Sequence, residues 1–444
     1  MSSSTHGANN SWPAHIVVTA AHAGVAGEVP IGGGAAVIHQ LLRHWSAAGA
    51  PLTVFGLGRR LDIPGLDYRP VPVTLPRGRG PDDLVKLSEL AYARVCRDFE
   101  RATTRAILDL PHRRGLVVLA NDLSEGPDFA ALAAAGIPVV TLWHVDVVDY
   151  FCRFYLRGLA PQTALAAWRA AGSRGLDVLQ LVFAKQSAAV AHSVRHVVPS
   201  AAMRAVIERC YPGAGRRVEV VPWGAWPTPA GDHEIAAAGR ELVERYELRS
   251  DQTLLVTLSR LSPEKGIERL LAAIAHGERR GEVPPGLRLW IGGEAAFMAG
   301  ARYRTALQRQ AARLATRVDF LGYVSGARKR ALWQLADLYV FPSRHESYGL
   351  TLAEALAAGV PVVSTRHYSA ADLVPPGAGV LVDNAPEAAV PAALWRALAP
   401  LLADPSRRAA MADVARRTAG RLDFGRAATR VADVMRAASA QGAG

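Results

Sequence analysis

Short apolar runs of strand length alternate with helix-length stretches along almost the whole chain. In the first half these runs are HIVVTA (15–20), PLTVFGL (51–57), GLVVLAN (115–121), PVVTLW (138–143), HVVPS (196–200) and RRVEVVP (216–222). In the second half they are TLLVTLS (253–259), LRLWIGG (287–293), RVDFLGYV (317–324), LYVFPS (338–343) and PVVST (361–365). Continuous apolar strands separated by helices are typical of parallel sheets covered on both faces. The chain is therefore predicted to be an α/β protein.

The segment PWGAWPTPAGD (222–232) interrupts this alternation with three prolines and two glycines, as a linker does. A chain of 444 residues also exceeds one ordinary core, at about 150 residues per domain. Two α/β domains are expected to face each other across a cleft, with ligands bound beyond the carboxyl ends of the strands. The predicted segments are a flexible N-terminus (1–14), an N-terminal domain (15–224), a C-terminal domain (225–421) and a C-terminal helix packing back on the N-terminal domain (422–444).

Charge and cysteine content exclude several classes of protein. The net charge of +12 favours a solvated basic surface, with weak peripheral membrane contact as the second expectation. No motif that reads DNA or RNA accompanies it, so we expect no nucleic-acid partner. The three cysteines are far apart and form no CxxC pair, which argues against a disulfide framework. Neither a secretory signal nor an apolar span of membrane length is visible, so a cytoplasmic location is expected.

The stretch RHESYGLTLAEALAAGVPVVST (344–365) contains two carboxylates eight positions apart. Glu346 is expected in the loop after the strand LYVFPS, and Glu354 one turn inside a helix that begins near Gly349. The first N–H groups of such a helix favour a phosphate. Glu354 could then accept hydrogen bonds from the vicinal hydroxyls of a ribose, and Glu346 could face a second polyol. The alternative is an exposed helix residue and a helix-capping charge.

The first strand of the C-terminal domain leads into SRLSPEKGIERLLAAIA (259–275). Arg260 and Lys265 flank a turn that contains Pro263, and both can reach the same strand-end rim. Two cations suit a diphosphate, whose negative charge grows as it leaves during transfer. The alternative is an ordinary helix start with a solvated lysine.

These segments resemble a known family. S-R-L-x-x-x-K-G followed by P-S-x-x-E-x-x-G-x-x-x-x-E-A-x-A-x-G-x-P-V-V is similar to retaining glycosyltransferases of the GT-B fold, family 4 (glycosyl transferases group 1). The resemblance covers most of residues 15–440 and is strongest over 253–365. It implies two Rossmann-like parallel-sheet domains facing a central cleft, with C-terminal helices. It places the acceptor on the N-terminal domain and the nucleotide sugar on the C-terminal domain.

The resemblance also implies roles for individual residues. Glu346 would lie beside the donor sugar near its anomeric carbon, while Glu354 would bind the ribose. Arg260 and Lys265 would hold the diphosphate, and the loop around Tyr323 and Val324 would lie near the base. The remaining residues expected to bind the nucleotide sugar are Gly33, Gly34, Tyr348, Gly349 and Leu350. After PVVST the chain has RHYSAADLVPPGAG instead of the family's glycine-rich turn and glutamate, so sugar contacts there cannot be transferred.

In the N-terminal domain, about ten residues separate the first strand from Gly32, Gly33 and Gly34. A dinucleotide-binding motif needs its glycines immediately after the strand, so that interpretation is rejected. By resemblance, Gly33 and Gly34 let the backbone approach the donor phosphate, although a merely flexible loop would also explain them. His144 follows the strand PVVTLW and resembles the histidine that contacts the donor sugar.

Other residues in this region are interpreted structurally. Asp146 and Asp149 lie close to His144 in the sequence, whereas His192 and His196 are expected to belong to the scaffold. The segment FCRFYLR (151–157) is interpreted as a helix packed by its aromatic face; an acceptor site or a membrane interface is the alternative.

The predicted function is a retaining transfer of a sugar from a nucleoside diphosphate, uridine rather than guanosine, to a hydroxyl or amine acceptor. No D-x-D triplet is present, and the helix dipole with Arg260 and Lys265 can neutralise the diphosphate, so no metal or other cofactor is expected. The alternatives are a sugar-nucleotide epimerase or phosphorylase of the same fold, or a non-catalytic partner that binds a sugar nucleotide. A phosphorylase of the glycogen type would need a lysine for pyridoxal phosphate, and lysine is scarce here.

Overall fold

A computed structural model describes residues 12–25, 32–172, 177–226, 230–295 and 300–441. Most of the predicted flexible N-terminus and the centre of the predicted linker lie outside these residues. The chain divides into two compact units. The first unit comprises residues up to Val198, Arg204–Val221 and residues from Gly425 onwards, while the second comprises Pro199–Met203 and Pro222–Phe424. The predicted domain boundaries remain predictions.

The first unit contains a sheet of seven strands, all paired in parallel in the order β3-β2-β1-β4-β5-β6-β7. Its strands are β1 (His15–Thr19), β2 (Leu52–Gly56), β3 (Leu66–Pro70), β4 (Leu116–Ala120), β5 (Val139–Leu142), β6 (Arg195–Val198) and β7 (Val218–Val220). The central strands are buried apolar runs, as expected for a sheet covered on both faces.

Among the described residues, no helix of the first unit lies between β2 and β3, whereas four α-helices lie between β5 and β6. The helices of this unit are α1 (Gly33–Ala47), α2 (Glu89–Leu108), α3 (Phe129–Ala134), α4 (Val147–Phe154), α5 (Pro161–Ala170), α6 (Asp177–Leu179) and α7 (Lys185–His192). Helix α8 (Ala201–Cys210) begins in the second unit and ends in the first, and most of α17 (Phe424–Gln441) belongs to the first. The indole N–H of Trp45 donates to the carbonyl of Ala428 at 2.9 Å, and the Ser439 hydroxyl donates to the carbonyl of Gly115 at 3.0 Å. These two bonds attach the C-terminal helix to α1 and to the loop before β4.

The second unit contains six parallel strands in the order β10-β9-β8-β11-β12-β13. They are β8 (Thr253–Leu258), β9 (Leu287–Gly292), β10 (Arg317–Gly322), β11 (Leu338–Phe341), β12 (Val362–Thr365) and β13 (Gly379–Val382). The helices are α9 (Asp232–Arg245), α10 (Ile267–Arg279), α11 (Gly300–Ala311), α12 (Gly326–Leu335), α13 (Leu350–Ala357), α14 (Ala370–Leu373), α15 (Val390–Ala403) and α16 (Pro405–Thr418). An apolar core joins the sheet to α10, α11 and α15 through Leu and Ile side chains that exclude water.

Strand order reverses at one point in each sheet. In the first unit β1 lies between β2 and β4, and in the second β8 lies between β9 and β11. The chain leaves the two neighbouring strands at such a point in opposite directions, which opens a crevice beyond their carboxyl ends. Residues following β1 and β4, or β8 and β11, are therefore placed where a ligand can bind.

Each of the eleven predicted strand runs contains a strand, while two edge strands escaped prediction. Strand β3 (LDYRP) is partly exposed and lacks an apolar run, and β13 (GVLV) is only partly buried. Edge strands need fewer apolar residues because one side is unpaired. Between β5 and β6, α5 ends at Ala170 and a π-helical turn over Gln180–Ala184 precedes α7.

Candidate functional site

Two loops of the second unit lie side by side at the reversal of strand order. The loop after β8 contains a 3₁₀ turn over Pro263–Lys265, and the loop after β11 carries Glu346. The carbonyl of Glu264 accepts hydrogen bonds from the Arg344 N–H at 2.8 Å and from the Ser343 hydroxyl at 3.0 Å. Gly266 has φ 62°, and a Cβ atom there would lie 2.4 Å from the Pro342 carbonyl oxygen. Only glycine fits this contact, so the two loops are held together closely.

This contact places Lys265 against Glu346. The ammonium nitrogen lies 2.5 Å from Oε2 of the carboxylate, with the two side chains 9% and 21% exposed. Burial would raise the pKa of Glu346, but the charge and hydrogen bond of Lys265 outweigh it and hold the pKa below its usual value. The carboxylate is therefore ionised at neutral pH. A solvated lysine and a helix-capping glutamate, the alternatives left open by the sequence, are both excluded by this ion pair.

Arg260 adds a second positive charge at the same strand end. Its guanidinium is 37% exposed and lies 3.6 Å from the carboxylate of Glu264. It also contributes to the lowered pKa of Glu346, after the larger effects of burial, Lys265 and His367. Arg260, Lys265 and Glu346 are thus brought together, as the motif spacing predicts. Their roles toward a ligand remain predictions.

His367 belongs to this cluster, although the sequence analysis did not single it out. It follows β12 and is 5% exposed, and its ring packs edge-on against Phe341 with centroids 5.3 Å apart. Burial lowers the pKa of His367 to about 4, although the charge of Glu346 opposes this effect. A neutral imidazole therefore lies near the Glu346 carboxylate at neutral pH. Its position directly after a buried strand is the signal that could have identified it.

Helix α13 begins where the sequence predicts. Gly349 is its N-cap residue with φ 92° and ψ 65°, and no side chain caps the helix. The N–H groups of the first turn, from Leu350 onwards, have no acceptor within the helix. Thr351 is fixed by a 2.7 Å hydrogen bond between its hydroxyl and that of Tyr339. This end of α13 therefore has the geometry expected of a phosphate-binding helix start.

Glu354 lies on the buried side of α13, which excludes the exposed-residue alternative. It is 9% exposed, and its Oε1 atom lies 2.7 Å from the ammonium nitrogen of Lys329 on α12. Its Oε2 atom is buried and has no hydrogen-bond partner among the described residues. A cavity of about 120 Å³ adjoins the pair and is lined by Ala225, Trp226, Lys329, Arg330, Trp333, Glu354 and Ala357. The pairing of Lys329 with Glu354 was not predicted from the sequence.

Two other predicted binding residues use their side chains in packing. Tyr348 is 4% exposed, and its hydroxyl accepts a 2.6 Å hydrogen bond from the Gly224 N–H. Burial raises the pKa of this phenol. Val324 is also 4% exposed. A ligand at these two positions would therefore meet main-chain atoms.

In the first unit, Gly34 and His144 are in direct contact. A Cβ atom at Gly34 would lie 2.7 Å from Cδ2 of the His144 ring, so only glycine permits this approach. Gly33 is the first residue of α1, immediately before it. The Nε2 atom of His144 lies 3.1 Å from Oδ1 of Asn121, which follows β4. Burial lowers the pKa of His144 to about 4, so the imidazole is neutral at neutral pH.

Near His144 lies a buried cluster with two carboxylates, Asp122 and Glu125, which was not predicted from the sequence. The Nε2 atom of His22 is 2.8 Å from Oε1 of Glu125, and the Tyr92 hydroxyl donates to the same oxygen at 2.5 Å. Burial would raise the pKa of Glu125, but His22 lowers it overall. Burial and the charge of Glu125 raise the pKa of Asp122 to about 7. His22 follows β1 and both carboxylates follow β4, so the three residues lie at the reversal of strand order. Their spacing in the sequence matches no motif and does not predict this cluster.

The remaining candidates of the first unit are structural. Asp146 is the N-cap of α4 and accepts a 2.7 Å hydrogen bond from the Asp149 N–H. Asp149 lies 3.6 Å from Arg209. The buried Nδ1 atom of His196 accepts a 3.3 Å hydrogen bond from the indole of Trp143, as a scaffold residue would.

The described residues contain neither a metal-binding cluster nor a membrane-spanning helix. Within residues 12–441, apart from the short gaps in the description, no group of three or more His, Cys, Asp or Glu side chains could hold a metal ion. No helix in the described parts of the chain is both long and apolar enough to cross a membrane.

Sequence comparison finds similarity to known glycosyltransferases. Residues 240–418 match the family described as glycosyl transferases group 1. The D-inositol 3-phosphate glycosyltransferase of Segniliparus rotundus is 31% identical over 243 residues, which is 53% of this chain and 50% of that protein. A GDP-mannose-dependent alpha-mannosyltransferase of Mycolicibacterium smegmatis is 28% identical over 340 residues, covering 73% of this chain and 78% of the relative. The first alignment thus spans only half of its relative.

Solved structures show the fold. Sucrose-phosphate synthase from Thermosynechococcus elongatus has a TM-score of 0.71 at 18% identity, covering 96% of this chain and 99% of that one. Anabaena HepE in complex with UDP and glucose has a TM-score of 0.66 at 18% identity, covering 94% and 98%. The predicted GT-B fold is therefore confirmed, and the comparisons together support a glycosyltransferase enzyme.

Proposed function

We propose that this protein transfers a sugar from a nucleoside diphosphate to a hydroxyl or amine acceptor, with retention of configuration and without a metal ion. The observation that carries the proposal is the ion pair between Lys265 and Glu346 at the reversal of strand order. A binding site for a neutral ligand would not need a buried lysine, an arginine and an uncapped helix start within one loop cluster. A leaving diphosphate needs positive charge at the moment its bond to the sugar breaks.

The charges of the cluster suggest which part of the donor each residue would bind. Arg260, Lys265 and the first turn of α13 would neutralise the diphosphate, while Glu354 would accept hydrogen bonds from the ribose. Glu346 is ionised, so it would accept hydrogen bonds from sugar hydroxyls and would not act as a proton donor. The proton released by the acceptor would pass to the departing diphosphate on the same face of the sugar. Retention would follow from this same-face exchange.

The proposal also assigns roles to His144, Gly33 and Gly34 in the first unit. The ring of His144 is uncharged and is held by the 3.1 Å contact of its Nε2 atom with Oδ1 of Asn121, and it would orient the donor sugar. Gly33 and Gly34 would allow the main chain to approach the donor phosphate. The proposed donor is a uridine diphosphate sugar, and HepE was crystallised with UDP and glucose. Relatives with GDP-mannose in their names make GDP-mannose the second donor to test. The acceptor is unidentified, and one displayed at a membrane would fit the weak peripheral contact expected from the sequence.

Thermal melting of the full-length protein against UDP-, GDP-, ADP- and TDP-sugars, with and without EDTA, tests this proposal. A ligand present at about 100 times its dissociation constant stabilises the folded state by about 2.7 kcal/mol. We expect one nucleotide to raise the melting temperature, EDTA to leave the shift unchanged, and Glu354→Ala to abolish it. The surface substitution Glu247→Ala is a matched control, because the Glu247 side chain is exposed and forms a surface ion pair with Arg317, so the shift should remain intact.

Four results would contradict parts of the proposal. The absence of any shift would remove the sugar-nucleotide site. A shift that EDTA abolishes would contradict metal independence. A nucleotide that binds but is never consumed, across a broad panel of alcohols and amines, would favour the non-catalytic partner, whereas solvent isotope entering the sugar ring would identify an epimerase.

A further inference from the structure

Exposed large apolar side chains are concentrated in one short segment of the first unit. Four of the five such side chains among the described residues lie within six positions: Phe154 at 37%, Tyr155 at 57%, Leu156 at 36% and Leu159 at 41% exposure. Every residue from 153 to 160 is exposed. Single exposed apolar residues are ordinary, but a contiguous group of them marks an interaction surface. The sequence-based interpretation of a helix packed by its aromatic face was therefore wrong for this segment, although Phe151 does pack against Phe183.

The backbone holds this segment in a defined shape. At the end of α4 the Tyr155 N–H donates to the Phe151 carbonyl at 2.9 Å, and the Gly158 N–H donates to the Cys152 carbonyl at 2.9 Å. Phe151 and Tyr155 stack with ring centroids 5.2 Å apart. Arg157 has φ 51°, a left-handed conformation that residues other than glycine rarely adopt. The exposed side chains thus project from an ordered turn.

The charge of this segment indicates which kind of partner binds to it. From residue 150 to residue 172 the chain contains Arg153, Arg157 and Arg169 and no acidic residue. All three arginines are exposed, while Asp149, which lies 3.8 Å from Arg153, is buried. Aromatic and aliphatic side chains interspersed with exposed arginines have the chemistry that partitions to the headgroup region of a bilayer. The positive charge is complementary to anionic lipids.

We propose that residues 153–159 form a docking surface for an anionic lipid bilayer. The side chains of Phe154, Tyr155 and Leu159 enter the headgroup region, and Arg153 and Arg157 meet the lipid phosphates. The inference is independent of the proposed sugar transfer, because it rests on a surface remote in sequence from the phosphate-binding loops. Binding through so few side chains is expected to be weak and reversible, since it lacks a second anchor.

Flotation of the full-length protein with vesicles tests the inference. We expect binding to phosphatidylcholine vesicles that contain phosphatidylglycerol, little binding to phosphatidylcholine alone, and weaker binding as salt shortens the Debye length below about 10 Å. Phe154→Ser, Tyr155→Ser and Leu159→Ser combined should abolish binding. Arg157→Gly removes a charge while suiting the left-handed turn, so it should fold normally and bind about fivefold more weakly. Leu90→Ser is the matched control, because Leu90 is 47% exposed on α2 outside the segment.

The melting temperature of each variant separates lost binding from lost folding, and Arg157→Gly should not melt below the unmodified protein. Failure of the unmodified protein to bind phosphatidylglycerol vesicles would overturn the inference. Equal binding to neutral vesicles would contradict the role of the arginines. Binding that survives the triple substitution would assign the membrane contact elsewhere. If the unmodified protein self-associates but does not bind vesicles, and the triple substitution abolishes this self-association, the surface is a protein interface.

Discussion

The ammonium nitrogen of Lys329 lies 2.7 Å from Oε1 of Glu354, and these side chains are 21% and 9% exposed. The remaining carboxylate oxygen is buried without a hydrogen-bond partner among the described residues. Glu354 therefore depends on Lys329 to compensate its charge. Replacing one partner of a buried ion pair leaves the other charge uncompensated, at a cost of about 3–5 kcal/mol when both are fully buried. We expect Lys329→Met to lower the free energy of unfolding by about 2 kcal/mol, since Lys329 is partly exposed. Urea unfolding measures this change.

The double variant Lys329→Met with Glu354→Gln is the control for this pair. Removing both charges should recover part of the stability, because no lone charge is left buried. If the double variant loses the sum of the two single losses, the pair does not interact and the prediction is wrong.

Substituting Glu346 should slow catalysis, in addition to the stability that is lost when Lys265 is left without its partner. Glu346→Gln preserves the shape of the side chain but removes the charge that faces Lys265. If Glu346 stabilises charge at the sugar during transfer, kcat should fall by about 10²–10³ while the KM for the donor changes little. Steady-state kinetics with the donor selected by melting would measure both constants. Glu247→Gln makes the same chemical change at a surface ion pair and should leave kcat unaltered. A rise in donor KM at constant kcat would instead give Glu346 a role in ground-state binding.

Gly34→Ala tests the contact between Gly34 and His144, two of the three predicted site residues of the first unit. The added methyl group would lie 2.7 Å from Cδ2 of His144, so the ring must move and its contact with Asn121 must lengthen. Misplacing a group by about 1 Å can cost about 10²-fold in rate, so we expect kcat/KM to fall at least about tenfold. Folding should change little, because alanine also favours helix α1 by about 0.5–1 kcal/mol.

Gly239→Ala is the matched control in helix α9. A methyl group there meets Ala331 Cβ at 3.7 Å, an ordinary contact. This substitution should stabilise the protein by about 0.5–1 kcal/mol and leave kcat/KM unchanged. Equal effects of the two substitutions on the rate would show that the contact with His144 is unimportant.

The location of the second-unit site could be predicted from the sequence, but the ion pairs within it could not. Continuous apolar strands specify a parallel sheet, and a parallel sheet places the residues after β8 and β11 at one edge, so Arg260, Lys265 and Glu346 could be grouped from spacing alone. Which cation faces which carboxylate could not be predicted. The Lys329–Glu354 pair depends on how α12 packs beside α13, and the Lys265–Glu346 pair depends on the close approach of Gly266 to Pro342. Both are tertiary contacts.

The arrangement of the first-unit residues was less predictable from the sequence. Gly34 and His144 were selected separately, and only the fold brings them into contact. The cluster of His22, Tyr92 and Glu125 escaped notice because its members come from three elements and follow no motif spacing. The exposed segment after α4 was misinterpreted for a different reason. An aromatic run at helical spacing predicts a packed face, but it does not reveal whether a partner element covers that face.

The buried histidine His196 predicts a specific dependence of stability on pH. Burial, followed by the nearby charge of Arg217, lowers its pKa from 6.5 to about 3. Between these values the unfolded chain binds a proton that the folded protein does not bind. Stability from this group is therefore complete above about pH 6.5 and is lost as the pH falls, by up to about 1.4 kcal/mol per pH unit.

His196→Asn keeps an acceptor for the indole of Trp143 and removes the titration, so the slope of unfolding free energy against pH between about 5 and 6 should flatten by about 1 kcal/mol per unit. Trp143→Phe removes the same 3.3 Å hydrogen bond but keeps the imidazole, so it should lower stability without flattening the slope. Urea unfolding of the three proteins across this range decides between the two effects, and an unchanged slope in His196→Asn would mean that the folded protein protonates His196 as readily as the unfolded chain does.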